Sequence, residues 1–126
     1  KMVLMFQKEV ANRIISKHNQ KSYSRISVIS QARCEIKLLL NAPSNIFFPM
    51  PKVDGTILEF NPITKYLDID ISNLQKLLRK SFEHRRKKIK TSLKDYDYLL
   101  KRFDIDEGLR AENLSVDDYC RLASAI

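Results

Sequence analysis

The segment Ile71–Lys94, ISNLQKLLRKSFEHRRKKIKTSLK, constrains this chain most, because it joins an apolar stripe to a nearly pure block of cations. Leu74, Leu78, Phe82, Ile89 and Leu93 recur at near-helical spacing, with Leu77 beside them. One side of such a segment buries while the other stays wet. The spacing predicts a helix or a helix pair, and one unbroken helix here would run about 36 Å. Its cations are Lys76, Arg79, Lys80, Arg85, Arg86, Lys87, Lys88, Lys90 and Lys94 against the single acid Glu83, net +8. Residues 1–70 carry net +4 and residues 95–126 net −4, so the surplus is local. Neighbouring cations one turn apart each oppose helix formation by about 0.2–0.5 kcal/mol, and Glu83 relieves only one or two such pairs. An ordinary charged helix reads as a solvated face. RRKK without interleaved acids reverses that reading, because a polyanion such as RNA would remove a small but repeated cost.

The rest of the composition narrows the classes. With 126 residues, 44% of them hydrophobic, the chain suits one domain, or one small domain plus part of another, and disorder is not expected. Cys34 and Cys120 lie far apart, with His18 and His84 remote from any ligand-like spacing, so reduced thiols and no metal are expected. No apolar run approaches the roughly 20 residues of a membrane span and no signal-peptide pattern is visible, which points to a cytoplasmic protein. Gly55 and Gly108 are the only glycines, so no Gly-x-Gly loop can bring backbone against a nucleoside cofactor. An apolar strand signal begins almost at Lys1, and an upstream portion is expected to be missing.

Taken in order, Met2–Phe6 (MVLMF) is apolar on both alternating faces, as a strand covered on two sides would be. Gln7–Lys17 reads as an amphipathic helix with Val10, Ile14, Ala11 and Ile15 inward. A polar connection, His18–Ser24, leads to a second helix at Arg25–Arg33. Cys34–Leu40 reads as a strand, with Leu38, Leu39 and Leu40 favouring burial. Pro43, Pro49 and Pro51 stiffen a loop carrying Ile46, Phe47 and Phe48, for which plugging the sheet end and stacking on a base are equally weighted. Val53–Phe60 is a strand, and Asn61–Asp70 is the expected boundary. Beyond the basic segment, Tyr96–Phe103 is expected to turn Tyr98, Leu99 and Phe103 inward. Ser115 with Asp118 resembles a capping box for a last helix burying Val116, Tyr119, Leu122 and Ala123.

Three strings now bear on identity: FxPxPKVD at Phe47–Asp54, FxxRRKxxKxSL at Phe82–Leu93, and RAENLS at Arg110–Ser115 followed by YCRLA at Tyr119–Ala123. With QKEVANR at Gln7–Arg13, they resemble the small-subunit ribosomal RNA adenine dimethyltransferases of the KsgA type, over nearly the whole chain and in the right order. The resemblance implies an α/β fold: the C-terminal part of a Rossmann-like methyltransferase sheet, about three strands with helices, over residues 1–62, then a small all-α rRNA-binding domain over residues 63–126. It implies a parent enzyme that moves methyl groups from S-adenosyl-L-methionine to the exocyclic amines of two adjacent adenines near the 3′ end of small-subunit rRNA. The family's cofactor loop and its Asn-Leu-Pro-Tyr motif lie upstream of QKEVANR, so neither catalytic nor cofactor-binding residues are expected in this chain, and the fragment alone is expected to be inactive.

Of the residues present, Phe47 matches the family aromatic that stacks on the extruded adenine. Arg85, Arg86 and Lys87 match its RNA-anchoring cluster, with Lys88 and Lys90 as reinforcement. Lys52 is a weaker phosphate candidate and Asp54 a structural residue. RAENLS is expected chiefly to satisfy backbone groups at a helix start rather than to touch RNA. Gly55 and Lys88 depart from the family's usual serine and threonine. Competing readings are a free-standing RNA-binding ribosome assembly module and, least supported, a helical DNA-binding protein. An exposed sheet edge would let the truncated chain associate with itself.

Overall fold

The computed structural model describes residues 1–46, 48–50 and 52–126. Strands β1 (Met2–Gln7), β2 (Cys34–Ala42) and β3 (Gly55–Pro62) form one antiparallel sheet in the order β1-β3-β2. Because β1 and β2 each run antiparallel to β3, they are parallel to one another. Helices α1 (Lys8–Ile15) and α2 (Arg25–Arg33) connect them.

The sheet buries one face. Leu58 and Phe60 of β3 meet Ala11 and Ile14 of α1, with Phe6 and Ile36 packed alongside. The Phe6 and Phe60 rings meet edge to face at 5.9 Å. Side chains alternate along a strand, so Leu4 and Phe6, opposite Leu58 and Thr56, share that face, while Val3, Met5 and Ile57 turn to the other. The expectations that MVLMF is covered on two sides and that Leu38–Leu40 are buried both fail. Val3 is 50%, Met5 53% and Leu40 53% exposed, because the described helices lie on one side of the sheet and β1 and β2 are its two edge strands.

A second core belongs to the helices. It gathers Leu74, Leu77 and Leu78 of α3 (Ile71–Glu83), Ile89 of α4 (Ile89–Ser92), Leu99 and Leu100 of α5 (Asp97–Arg102) and Tyr119, Cys120 and Leu122 of α6 (Val116–Ser124). The apolar stripe of the basic segment is thus buried as its spacing predicts. Tyr23, Val28 and Ala32 join the same core, so the helices pack back onto the first half of the chain. The 3-10 turn Lys94–Tyr96 ends before α5, which therefore begins at Asp97; in that phase Leu99 and Leu100 face inward and Tyr98, expected inside, is 61% exposed. The strand expected to end at Phe60 continues to Pro62. Pro62 is the strand's last residue, opposite Cys34, a position that needs no ladder donor.

The connection from β3 to α3 is held from α2. Arg33 donates from Nη1 to the carbonyls of Tyr66 (3.2 Å) and Leu67 (3.1 Å) and from Nη2 to that of Ile69 (2.8 Å). One guanidinium fork therefore fixes the turn that aims the basic helix.

Candidate nucleic-acid interface

Helix α3 stops at Glu83, where continuing would stack Arg85, Arg86, Lys87 and Lys88 on successive helical positions with no acid among them. Cations just past a helix C-terminus are instead favourable to its dipole. The basic turn is pinned by backbone. Lys87 N donates to His84 O (3.0 Å), Ile89 N to Leu109 O (2.6 Å) and Lys90 N to Glu107 O (3.2 Å), and Lys88 forms an antiparallel bridge with Arg110. Ile89, fully buried, anchors the turn's far end.

Besides Lys76, Arg79 and Lys94, which are exposed, the cations of the segment divide into two sets. Arg86, Lys87, Lys88 and Lys90 are exposed, and among the described residues none of them pairs with a carboxylate. Lys80 is occupied: its Nζ lies 2.9 Å from Asp95 Oδ2 and 5.2 Å from the Tyr96 ring centre. That contact raises the lysine pKa and holds the Asp95 carboxyl below the usual carboxylate range. Arg85 is occupied too. It donates from Nη2 to Lys21 O (2.7 Å), lies 3.6 Å from Glu112 Oε2 and sits 5.6 Å from the centre of the Phe82 ring. Phe82 in turn packs between Tyr23 (6.1 Å) and Tyr119 (5.9 Å).

RAENLS satisfies backbone as expected. Asn113 Oδ1 accepts from Arg110 N (2.9 Å), and its Nδ2 donates to Asn19 Oδ1 (2.9 Å). Ser115 and Asp118 exchange reciprocal bonds of 3.1 Å at the start of α6, and the Tyr119 hydroxyl donates to Ala111 O (2.6 Å). Burial pushes the Tyr119 phenol well above its usual pKa, so it stays a donor.

Phe47 falls outside the described residues. Its neighbour Phe48 is fully exposed. Lys52 is exposed and lines an open groove of about 480 Å³ with Gln7, Lys8, Glu9 and Asn12. Asp54 is structural: its carbonyl accepts from Lys8 N (3.0 Å) and its Oδ1 from Ser44 N (2.9 Å), tying the loop to α1. A larger groove, about 890 Å³, is lined by Arg13, Lys17, Gln20, Lys21 and Arg85 and shares Glu9 and Asn12 with the first. The structure thus gathers the 85–90 cations on one turn and sets Lys52 apart, across the exposed face of α1. Lys17, read as the outward end of the first helix, and Lys21, read as part of a polar connection, line the larger groove; two lysines four apart with no acid between them are the available signal.

Neither glycine sits where a strand turns into a helix. Gly55 opens β3, Gly108 lies between α5 and α6, and among the described residues no glycine has a left-handed φ. These residues do not fit a backbone cradle for a nucleoside cofactor.

The family model for ribosomal RNA adenine dimethylase matches residues 1–126. The chain belongs to that family. The ribosomal RNA small subunit methyltransferase A of Anaplasma phagocytophilum is 40% identical over 131 residues, covering 100% of this chain and 49% of the relative. The protein of the same name from Buchnera aphidicola subsp. Acyrthosiphon pisum is 42% identical over 127 residues, covering 98% of this chain and 46% of the relative. Among solved structures, a dimethyladenosine transferase from Plasmodium falciparum superposes with a TM-score of 0.84 at 25% identity, over 95% of this chain and 55% of that one. The chain thus spans about half the length of the curated relatives it matches. Adenine dimethylases of ribosomal RNA use S-adenosylmethionine as methyl donor.

Proposed function

We propose that this chain is the rRNA-seating portion of an adenine dimethyltransferase that moves methyl groups from S-adenosyl-L-methionine to the exocyclic amines of two adjacent adenines near the 3′ end of small-subunit rRNA. On this reading residues 1–62 are the C-terminal part of a Rossmann-like methyltransferase sheet and residues 63–126 the helical rRNA-binding domain, acting during small-subunit maturation. Two features support the sheet assignment: β1 and β2 are parallel to one another, and β1 has a free edge at which further strands could add. Phe47 is assigned to base stacking on its match to the family motif.

One observation carries the RNA assignment. Arg86, Lys87, Lys88 and Lys90 stand exposed on a turn whose backbone is fixed at both ends. A polyanion is the partner that such a cluster fits, because each phosphate contact releases condensed counterions. The test is the salt dependence of binding to a stem-loop from the 3′ end of small-subunit rRNA. Arg86→Ala with Lys87→Ala should flatten the slope of log affinity against log salt by roughly 0.7–0.9 per lost contact. An unchanged slope would reduce the cluster to a solvated face. The chain by itself is expected to transfer no methyl group, checked with labelled donor and the same RNA.

A further inference from the structure

We propose that the connection between α1 and α2 carries a second set of RNA phosphate contacts, Lys17 and Lys21, and that Arg85 is the positioning residue that fastens this connection to the basic turn. The inference rests on the RNA reading above and extends it to Lys17 and Lys21, outside the family's anchoring cluster, while giving Arg85, inside that cluster, a positioning role.

The argument begins with what each cation of the large groove already touches. Arg13 donates to Glu9 at 3.0 Å, so its charge is matched, and among the described residues Glu9 is the only acid lining the groove. Lys21 is exposed, and among the described residues its side chain meets no carboxylate. Lys17 reaches only the neutral Gln31 Oε1, at 3.5 Å. Both lysines lie on the wall of an open groove of about 890 Å³ whose other lining groups include Gln20, Ser22 and Ser24. Such a surface offers donors to phosphate oxygens at two points and hydroxyl and amide groups between them.

The connection is also built to hold still. Lys17 N donates to Gln20 Oε1 (2.8 Å), Gln20 N to Lys17 O (3.2 Å) and Tyr23 N to Gln20 O (3.1 Å). Asn19, in the left-handed region at φ 74°, donates its N–H to Glu112 O (2.7 Å). Tyr23 is buried in the helical core. Ser16 and Ser22 share a hydrogen bond across the base of the connection.

Arg85 closes the arrangement. Its 2.7 Å bond to the carbonyl of Lys21, its approach to Glu112 and its position over Phe82 draw the connection, the RAENLS loop and the end of α3 to one point. A guanidinium already divided among a carbonyl, a carboxylate and a ring has little left for phosphate. It ties the backbone of Lys21 to the first residue of the basic turn rather than adding a contact of its own, and a lysine could not reproduce the fork.

The test uses the whole chain and the same stem-loop. Lys17→Gln with Lys21→Gln should lower the salt slope by roughly 0.7–0.9 per lysine with the melting temperature unchanged. Arg85→Lys, which keeps the charge, should raise hydrogen exchange of the amides of residues 17–23, whereas Arg86→Ala with Lys87→Ala should leave that exchange as it is. If the glutamine pair leaves the slope intact while Arg86→Ala with Lys87→Ala flattens it, the second contact set is refuted and the RNA reading stands. If neither pair changes the slope, both fail. Unaltered exchange of residues 17–23 in Arg85→Lys overturns the positioning role.

Discussion

Asp70 shows how one side chain sets the direction of the basic helix. Its Oδ1 accepts from Ser72 Oγ and from Ser72 N, each at 2.8 Å, and so caps α3. These bonds, the hydroxyl first and the backbone N–H second, hold the Asp70 carboxyl below its ordinary value of 3.8. A carboxyl depressed in the folded state contributes its stability fully above the unfolded value and loses it as pH falls through the folded one. The contribution should therefore be complete above pH 3.8 and shrink below it. Asp70→Asn keeps a good cap and removes the titration. Its melting temperature should stay close to the parent's near pH 6 and fall less steeply on acidification, as followed by circular dichroism. Steeper acid loss in the variant would contradict the assignment. Residue-scale reading of the sequence works where such local chemistry rules, as with Ser115 and Asp118, and fails where phase decides. Tyr98 and Leu99 were equally plausible inward residues until the 3-10 turn before α5 set the start of that helix. Leu99→Ala should cost about 2–5 kcal/mol, and Tyr98→Ala less than about 0.5, in urea unfolding.

At the scale of elements, helix periodicity located α1, α3 and α6, because each buries a stripe that recurs along the sequence, whereas α2 buries Ser27, Val28 and Ala32 and leaves Ile26 42% exposed. What periodicity cannot show is how one element grips another far away in the chain. Arg33 ends α2, yet its three bonds go to carbonyls of Tyr66, Leu67 and Ile69. No local pattern marks it. The clamp matters because those carbonyls belong to the turn between β3 and α3 and would otherwise depend on water. Hydrogen bonds from a charged donor are worth about 1.5–3 kcal/mol each where partly buried, less where solvent competes. Arg33→Gln, which can replace only part of the fork, should lower stability by about 1.5–3 kcal/mol in urea denaturation. The loss should exceed that of Arg86→Gln, an exposed cation without a carboxylate partner. Equal losses would mean that the fork contributes no more than an ordinary surface charge. The candidate site divides in the same way: the cationic turn was legible as composition, while the occupation of Arg85 and Lys80 by partners 64 and 15 residues away was not.

For the molecule as a whole, the sequence places charge and helix burial well and sheet burial poorly. The local surplus in Ile71–Lys94 is a count, but whether MVLMF is covered depends on neighbours that a strand pattern cannot name. In the structure Val3 and Met5 of β1, and Leu40 of β2 beside Ile57, leave an apolar face open, while β1 presents an unpaired edge. An edge that is both unpaired and apolar is a template for another chain. Charges blunt it only in part: Lys1 pairs with Glu59 at 3.0 Å, and Glu35 and Lys37 lie 3.9 Å apart on β2. This chain should therefore self-associate through β1 as concentration rises, with a scattering mass above its 14.8 kDa. Val3→Lys with Met5→Lys should return it toward that mass, since a charge on the open face opposes pairing without touching the core around Leu58. Arg86→Ala with Lys87→Ala should leave association unchanged, which separates it from binding through the basic turn. A parent chain that scatters as a monomer at high concentration would show that the open face and edge are tolerated as they stand.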